Sequence, residues 1–294
     1  MEISVARIRP RRSALYMPGA NARALEKGQD LPADVLILDL EDAVTPDAKD
    51  VARQQVFDAV ATGRYGRREV VVRINGLDTG WGHADVPLVA ECGAEAVLLP
   101  KVESADQVRH LEALMTDSGA PNDMAIMCMI ETPMGVLHSA EIAAASPRLT
   151  CLVMGTSDLT KELQARHAPG REPLLTSLSF CILAARAHRL AILDGVSLNL
   201  DDDEDHVAAC RQGRDLGFDG KTLIHPRQIA AANDTFAPDR EEVAWSHRVI
   251  KAHGDAEAEG LGVVLVDGKL VENLHVEEAH RIVALAEAIK RLAA

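Results

Sequence analysis

The stretch VLILDLEDAVTP, residues 35–46, begins as an unbroken apolar run and then places acids at Asp39, Glu41 and Asp42. Val35, Leu36, Ile37, Leu38 and Leu40 suit a strand buried on both faces, because a strand with one face in water alternates apolar and polar residues. The acids then stand at the strand's carboxyl end. Carboxylates this close repel one another and are costly to desolvate. Either water surrounds them, or something positive sits among them.

Runs of the same kind recur along the chain: SALYMP (13–18), EVVVRIN (69–75), AVLLPK (96–101), AIMCMIE (125–131), CLVMG (151–155), AILDGV (191–196) and KTLIHP (221–226). Segments with helical periodicity lie between them. One is ADQVRHLEALMTD, opened by Ser104; another is VLHSAEIAAAS; a third is HVAACRQGRDLG, with Gly217 where a C-cap belongs. Strands alternating with helices through residue 226 predict a (β/α)8 TIM barrel rather than a doubly wound sheet. Beyond His225-Pro226 the pattern changes to a helix over 240–260, a hairpin over 263–273 turning at Asp267-Gly268, and a last helix over 276–293. The expected organisation is therefore a catalytic barrel over residues 1–235 and a helix–hairpin–helix extension over 236–294. The extension is expected to cap the barrel or make oligomer contacts.

Composition narrows the partners. The 294 residues carry a formal net charge of −14, which argues against nucleic acid and anionic membranes. With 47% hydrophobic residues but only 3% aromatic ones, the core must be aliphatic. The five cysteines (92, 128, 151, 181 and 210) form no CxxC pair and have no zinc spacing. The amino-terminal MEISVARIRPRRS has no apolar core of a secretory signal, and no apolar run approaches the ~18 residues of a membrane span. A cytoplasmic location is the expectation.

Active sites of such barrels lie at the carboxyl ends of the strands. Read in order, those ends give Pro18-Gly19, the Asp39/Glu41/Asp42 cluster, Arg73 with Asn75, Lys101, Glu131, Gly155 through Asp158, Asp194 and His225-Pro226. Glu131 and Asp158 end neighbouring strands, about 5 Å apart, where two carboxylates can share one hard cation. Mg²⁺ takes one or two carboxylates and leaves the rest of its octahedron to water and substrate oxygen. The structural alternative is a pair of solvated or Arg-bonded acids. Arg73 can grip a substrate carboxylate with two parallel hydrogen bonds, or form an internal ion pair with Glu41 or Asp42. Lys101 can form a Schiff base or neutralise the acidic cluster, the second being the simpler role. His225 reads as a packed, hydrogen-bonded histidine. The loop GTSDL (155–159) offers backbone N–H groups that can meet an oxyanion.

Taken in order, RSALYMPGANARALEKG (12–28), DVLILDLEDAV followed by AK (34–49), VVRIN (71–75), LLPKVES (98–104), MIETPMGVL (129–137), MGTSDLTKEL (154–163) and DGKLVEN (267–273) resemble the HpcH/HpaI aldolase superfamily. Within it they are most similar to the citrate lyase β-subunit-like branch, which includes malyl-CoA and citramalyl-CoA lyases. The resemblance implies a TIM barrel with Mg²⁺, a homotrimer or hexamer, and reversible cleavage of a 3-hydroxyacyl-CoA into an acyl-CoA and a small keto acid such as glyoxylate or pyruvate. It implies Glu131 and Asp158 as metal ligands, and Arg73 as the holder of the keto-acid part. Glu41 and Asp42 would position water and Arg73, Gly155, Thr156 and Ser157 would contact substrate, and Arg12 would lie near the CoA phosphates.

One position departs from the lyases. They carry an Asp after the GK(M/L)(I/V) stretch, reaching a neighbouring subunit's site as the acid/base, and Glu272 stands there in this chain. The reaction expected first is metal-assisted retro-aldol cleavage, with Glu272 protonating the thioester enolate. Two rivals stand beside it. Thioester hydrolysis at the same site would give free CoA and intact hydroxydiacid. A citrate lyase β subunit would act on an acyl-carrier-protein thioester inside a complex.

Overall fold

The computed structural model describes residues 8–258 and 260–293. The first seven residues, part of the stretch read above as lacking a secretory signal, lie outside the described residues. The chain forms two compact units, one spanning Arg11–Phe236 and the other built on Ala237–Ala294.

In the first unit eight parallel strands close into a barrel in sequence order. They are β1 (Ser13–Pro18), β2 (Val35–Asp39), β3 (Glu69–Arg73), β4 (Ala96–Leu99), β5 (Ala125–Ile130), β6 (Leu149–Met154), β7 (Ala191–Asp194) and β8 (Gly220–Leu223). Helices α1 (Ala22–Gly28), α2 (Lys49–Ala61), α3 (Gly80–Cys92), α4 (Ala105–Asp117), α5 (Pro133–Leu137), α6 (Ser139–Ala143), α7 (Thr156–Glu162), α8 (Leu175–Ala187), α9 (Asp203–Leu216) and α10 (Ile229–Phe236) follow the strands. This is a (β/α)8 TIM barrel. Ser104 caps α4 in a reciprocal box with Gln107, and Gly217 ends α9 at φ 105°, a conformation glycine adopts without strain. The run read as one helix over VLHSAEIAAAS breaks at His138 into α5 and α6.

Period-two alternation divides the strands' side chains into two cores. Ala14, Val35, Ile37, Val71, Leu98 and Met127 are among those filling the barrel's interior. Residues between them, such as Leu36, Leu38, Val72 and Ile126, face the helices in a larger layer. The small interior residues fit a narrow barrel plugged by side chains rather than open as a pore. At the amino end buried Glu69 accepts two hydrogen bonds from Arg11, at 2.6 and 2.7 Å. Arg12 grips Asp34 with two more, both 2.8 Å. All five cysteines are reduced and buried.

The second unit holds α11 (Arg240–Ala258), a hairpin of β9 (Val264–Val266) and β10 (Lys269–Val271), and α12 (Asn273–Ala293). Asp267 and Gly268 form its turn with φ of 51° and 78°, both positive as a type I′ turn requires. Val249, Val266, Val271 and Ala279 make a small core of its own. Among the described residues no helix is long and apolar enough to cross a membrane.

Candidate active site

Strand register builds the site. Asp39 and Arg73 are direct partners across β2 and β3, so the last inward residues of the two strands meet as an ion pair. Arg73 Nε and Nη2 donate to the two Asp39 oxygens at 2.7 and 2.6 Å. Its Nη1 lies 3.0 Å from Glu41 Oε2 and 3.7 Å from Asp42. The guanidinium stacks 4.8 Å from the centre of the Tyr16 ring. Burial opposes the charge, but Asp39 more than compensates, so the Arg73 pKa is raised well above its ordinary value and the group is always a cation. The opening question has its answer: the acidic cluster surrounds a guanidinium.

This arrangement corrects two expectations. The acid that chiefly orients Arg73 is Asp39, with Glu41 second and Asp42, half exposed, at the margin. The two-pronged edge of Arg73 formed by Nε and Nη2 is already occupied by Asp39, and Nη1 faces Glu41 Oε2 and Met129 Sδ, so a substrate oxygen at the Nη1/Nη2 end would share or displace the Glu41 contact.

Lys101 ion-pairs with Glu41 Oε1 and stands 3.8 Å from Asp42. Burial works against the ammonium, but the acids around it, Glu41 first and then Asp42 and Glu131, together outweigh it, so the Lys101 pKa is raised. A Schiff-base lysine needs the opposite shift. Lys101 therefore neutralises the cluster, the role preferred from the sequence. Its backbone also serves the site. At φ 50° Lys101 is left-handed, and its N–H donates to Glu131 Oε1 at 2.8 Å.

Glu131 follows β5 directly and is wholly buried. One oxygen takes the Lys101 N–H; the other, Oε2, has no hydrogen-bond partner. Burial first, and the nearby Glu41 charge second, push its pKa up to about 8. The charges of Arg73 and Lys101 pull it down by less than burial pushes it up. Ile130 of β5 pairs with Met154 of β6, so Glu131 lies beside Gly155, where a Cβ would stand 2.5 Å from Oε2. Asp158 sits in the first turn of α7, half buried, with no hydrogen-bond or ion-pair partner among the described residues. The segment GTSDL is thus a helix start rather than a loop. The N–H groups of Thr156, Ser157 and Asp158 are first-turn donors without intrahelical acceptors. The Thr156 side chain itself packs against Gly195.

An orphaned carboxylate oxygen beside a second unpartnered acid fits a hard divalent cation. Among the described residues no group of three or more His, Cys, Asp or Glu suits a metal. Glu131 and Asp158 would then be the two carboxylates, with water and substrate oxygen completing the shell in the manner of Mg²⁺.

Arg12, His225 and Glu272 complete the residues singled out in the sequence. Arg12 precedes β1 and is locked to Asp34 at the amino end of the barrel, opposite the strand ends that carry Arg73 and Glu131. It is a closing strut, and the assignment to CoA phosphates is corrected. His225 is exposed rather than packed; its Nδ1 accepts the Arg227 N–H as a local cap. Glu272 belongs to the second unit, exposed at the start of α12, where its backbone N–H donates to His275 Nδ1 at 3.1 Å. One buried residue escaped sequence reading: Lys49, which donates to Leu40 O, Glu41 O and Asn75 Oδ1. Its signal was a cation in the first turn of a helix, where the dipole disfavours positive charge.

The strand ends of this TIM barrel thus carry a caged arginine and, beyond β5 and β6, the acids Glu131 and Asp158. The chain belongs to the HpcH/HpaI aldolase/citrate lyase family, whose model matches residues 12–226. It is 50% identical over 280 residues to the (3S)-malyl-CoA thioesterase of Cereibacter sphaeroides, covering 95% of this chain and 96% of that one. It is 37% identical to the citrate lyase β subunit of Leuconostoc mesenteroides, covering 95% and 94%. Among solved structures it resembles protein CitE from Mycobacterium tuberculosis in complex with magnesium, acetoacetate and coenzyme A. That likeness has a TM-score of 0.74 at 30% identity and covers 94% of this chain and 97% of that one. Members of the family are enzymes acting on CoA esters, and Mg²⁺ is the cofactor.

Proposed function

We propose that this chain is a Mg²⁺-dependent thioesterase for a malyl-CoA-type 3-hydroxyacyl-CoA, releasing CoA and the intact hydroxydiacid. Sequence reading ranked C–C cleavage first and hydrolysis second. The whole-length likeness to a (3S)-malyl-CoA thioesterase at 50% identity, against 37% for a citrate lyase β subunit, carries the reversal. The site supports the substrate class under either reaction.

Glu131 and Asp158 would hold the metal. When bound, Mg²⁺ supplies Lewis-acid polarisation of a substrate oxygen and a fixed positive charge. Arg73, immobilised by Asp39 and stacked on Tyr16, offers the Nη1/Nη2 end to the substrate's carboxylate. The first-turn N–H groups of α7 face negative charge as it develops on the acyl oxygen. Burial raises the Glu41 pKa against the pull of Arg73, which suits this carboxylate to take a proton from water. The water oxygen bonds to the acyl carbon, the C–S bond breaks, and the proton passes to the departing thiolate. Retro-aldol cleavage is the second reading, favoured by the match to an aldolase/citrate lyase family. It would break the bond between the hydroxyl-bearing carbon and the thioester α-carbon, with Glu272 of a neighbouring subunit in a homotrimer or hexamer as proton donor.

The test is the purified chain with Mg²⁺ and (3S)-malyl-CoA, products identified by mass spectrometry and thiol release followed in parallel. Free CoA with malate supports hydrolysis. Glyoxylate with acetyl-CoA replaces it by cleavage. Neither pair of products sinks both readings.

A further inference from the structure

The Glu41 carboxylate bridges Arg73 and Lys101, yet it hangs from a turn over residues 40–45 between β2 and the 3₁₀ turn Pro46–Ala48 that leads into α2. Two buried groups fix that segment from opposite sides. Asp39 takes its N–H groups, accepting from Glu41 N at 2.9 Å and Ala43 N at 3.1 Å. Lys49 takes its carbonyls: Nζ donates to Leu40 O at 2.7 Å and Glu41 O at 2.8 Å. The third ammonium hydrogen goes to Asn75 Oδ1 at 2.6 Å.

Asn75 is in turn immobilised. Its backbone and side-chain nitrogens both donate to Asp85 Oδ2, at 2.9 and 2.7 Å. The other Asp85 oxygen accepts Arg53 Nε at 2.8 Å. Arg53 lies one turn after Lys49 on α2, so the network closes on itself: α2 to the end of β3, to α3, and back to α2. Lys49, Asn75 and Asp85 are buried, and the Lys49 ammonium is 5.4 Å from the centre of the Trp81 ring. A full set of acceptors around one buried ammonium specifies a geometry, because any displacement leaves a polar group unpaired. Lys49 touches neither Arg73 nor Glu131 directly in this network; it acts through the peptide that carries Glu41.

We infer that Lys49, held in place by Asn75, Asp85 and Arg53, is a positioning residue for the site. It sets the Leu40–Glu41 backbone, and thereby the carboxylate that engages Arg73 and Lys101. The kinetic arm of the test rests on the malyl-CoA reading above; the exchange arm does not.

Lys49→Met keeps the length of the side chain and removes the donor. Well below its melting temperature, this variant is expected to lose about 100-fold in kcat for malyl-CoA, the scale of a small misplacement of catalytic groups. KM and inhibition by free CoA should stay close to wild type. Hydrogen–deuterium exchange should accelerate at amides 40–44 and remain unchanged in β5 and β6. Asn75→Ala should reproduce the kcat loss, and the double variant should lose no more than the worse single one, as members of one unit do. Asn75→Ala also carries the comparison if Lys49→Met does not fold. A lowered melting temperature with unchanged kcat, exchange spread evenly over the barrel, or strictly additive kinetic losses would overturn the inference. If the wild-type chain turns over no malyl-CoA, the functional reading has failed, and exchange at 40–44 alone decides the role of Lys49.

Discussion

Glu131 is a carboxyl group with no solvent and one empty oxygen, and that state has a thermodynamic signature. Its pKa in the folded chain, about 8, lies above its ordinary value of 4.5. The fold therefore favours the protonated acid: the contribution to stability is full below about pH 4.5 and is lost as pH rises through about 8. In chelator the melting temperature should fall across that interval, and saturating Mg²⁺ should remove the fall by binding the carboxylate. Calorimetry at pH 7 in buffers of differing ionisation enthalpy should find proton release approaching one per Mg²⁺ bound. Glu131→Gln should abolish the pH-dependent limb and the metal binding together; a limb that survives in the variant assigns it to another group. Arg73 makes a second prediction. Removing it leaves Asp39 buried without its cation, while Glu41 keeps Lys101, so Arg73→Ala should destabilise by about 3–5 kcal/mol in denaturant unfolding. Arg73→Lys keeps the charge but not the fork, and should lower kcat/KM about 100-fold with a smaller stability loss. Comparable effects of the two variants on both quantities would make Arg73 a structural ion only. Glu131, Arg73 and Lys101 were legible in the sequence because each ends an apolar run. Which of three neighbouring acids grips Arg73 was not. That choice depends on the pairing of β2 with β3, a long-range register that opposes Asp39 to Arg73.

Between elements, the site depends on how closely the end of β6 approaches the end of β5. Gly155 is the residue that permits it, since a Cβ there would collide with the Glu131 side chain. Gly155→Ala should therefore cost about 1–3 kcal/mol as overpacking and displace the carboxylate. Mg²⁺ affinity measured by calorimetry should drop at least about tenfold, the scale seen when support of a ligand is lost. Unchanged affinity would mean that Glu131 moves freely or is no ligand. The strands themselves were readable because a barrel covered by helices demands continuous apolar runs. The helices were less so. α7 begins Thr-Ser-Asp, residues that serve loops and helix starts equally well, and it runs only from Thr156 to Glu162. The break between α5 and α6 at His138 lies in a stretch whose periodicity continues unbroken, so the hydrophobic pattern carries no mark of it.

At the scale of the whole molecule the question is why a closed barrel carries a second unit. Within that unit Glu272 stands exposed at the junction of β10 and α12, and its carboxylate has no hydrogen-bond or ion-pair partner among the described residues. The preceding turn is fixed by Asp267 and Gly268, so the acid is presented from a defined hairpin. Such a presentation suits service to a neighbouring copy of the chain, and complementation tests it. Glu272→Gln removes the acid and leaves the barrel intact. Its counterpart is best made at Asp158, which has no partner in the fold, because an Arg73 variant would also unbalance Asp39 and Glu41. Asp158→Asn should abolish Mg²⁺-dependent turnover with little change in melting temperature. Under the retro-aldol reading, in which Glu272 donates the proton, each variant alone is expected to form no glyoxylate from malyl-CoA. Dissociated together and reassembled, they form some sites with Asp158 from one chain and Glu272 from the other, and formation of glyoxylate and acetyl-CoA should return in those mixtures. Mass spectrometry of the intact assemblies verifies mixing. Verified mixed oligomers that remain inactive, while both parents stay folded, would remove Glu272 from the chemistry and leave the second unit a structural role.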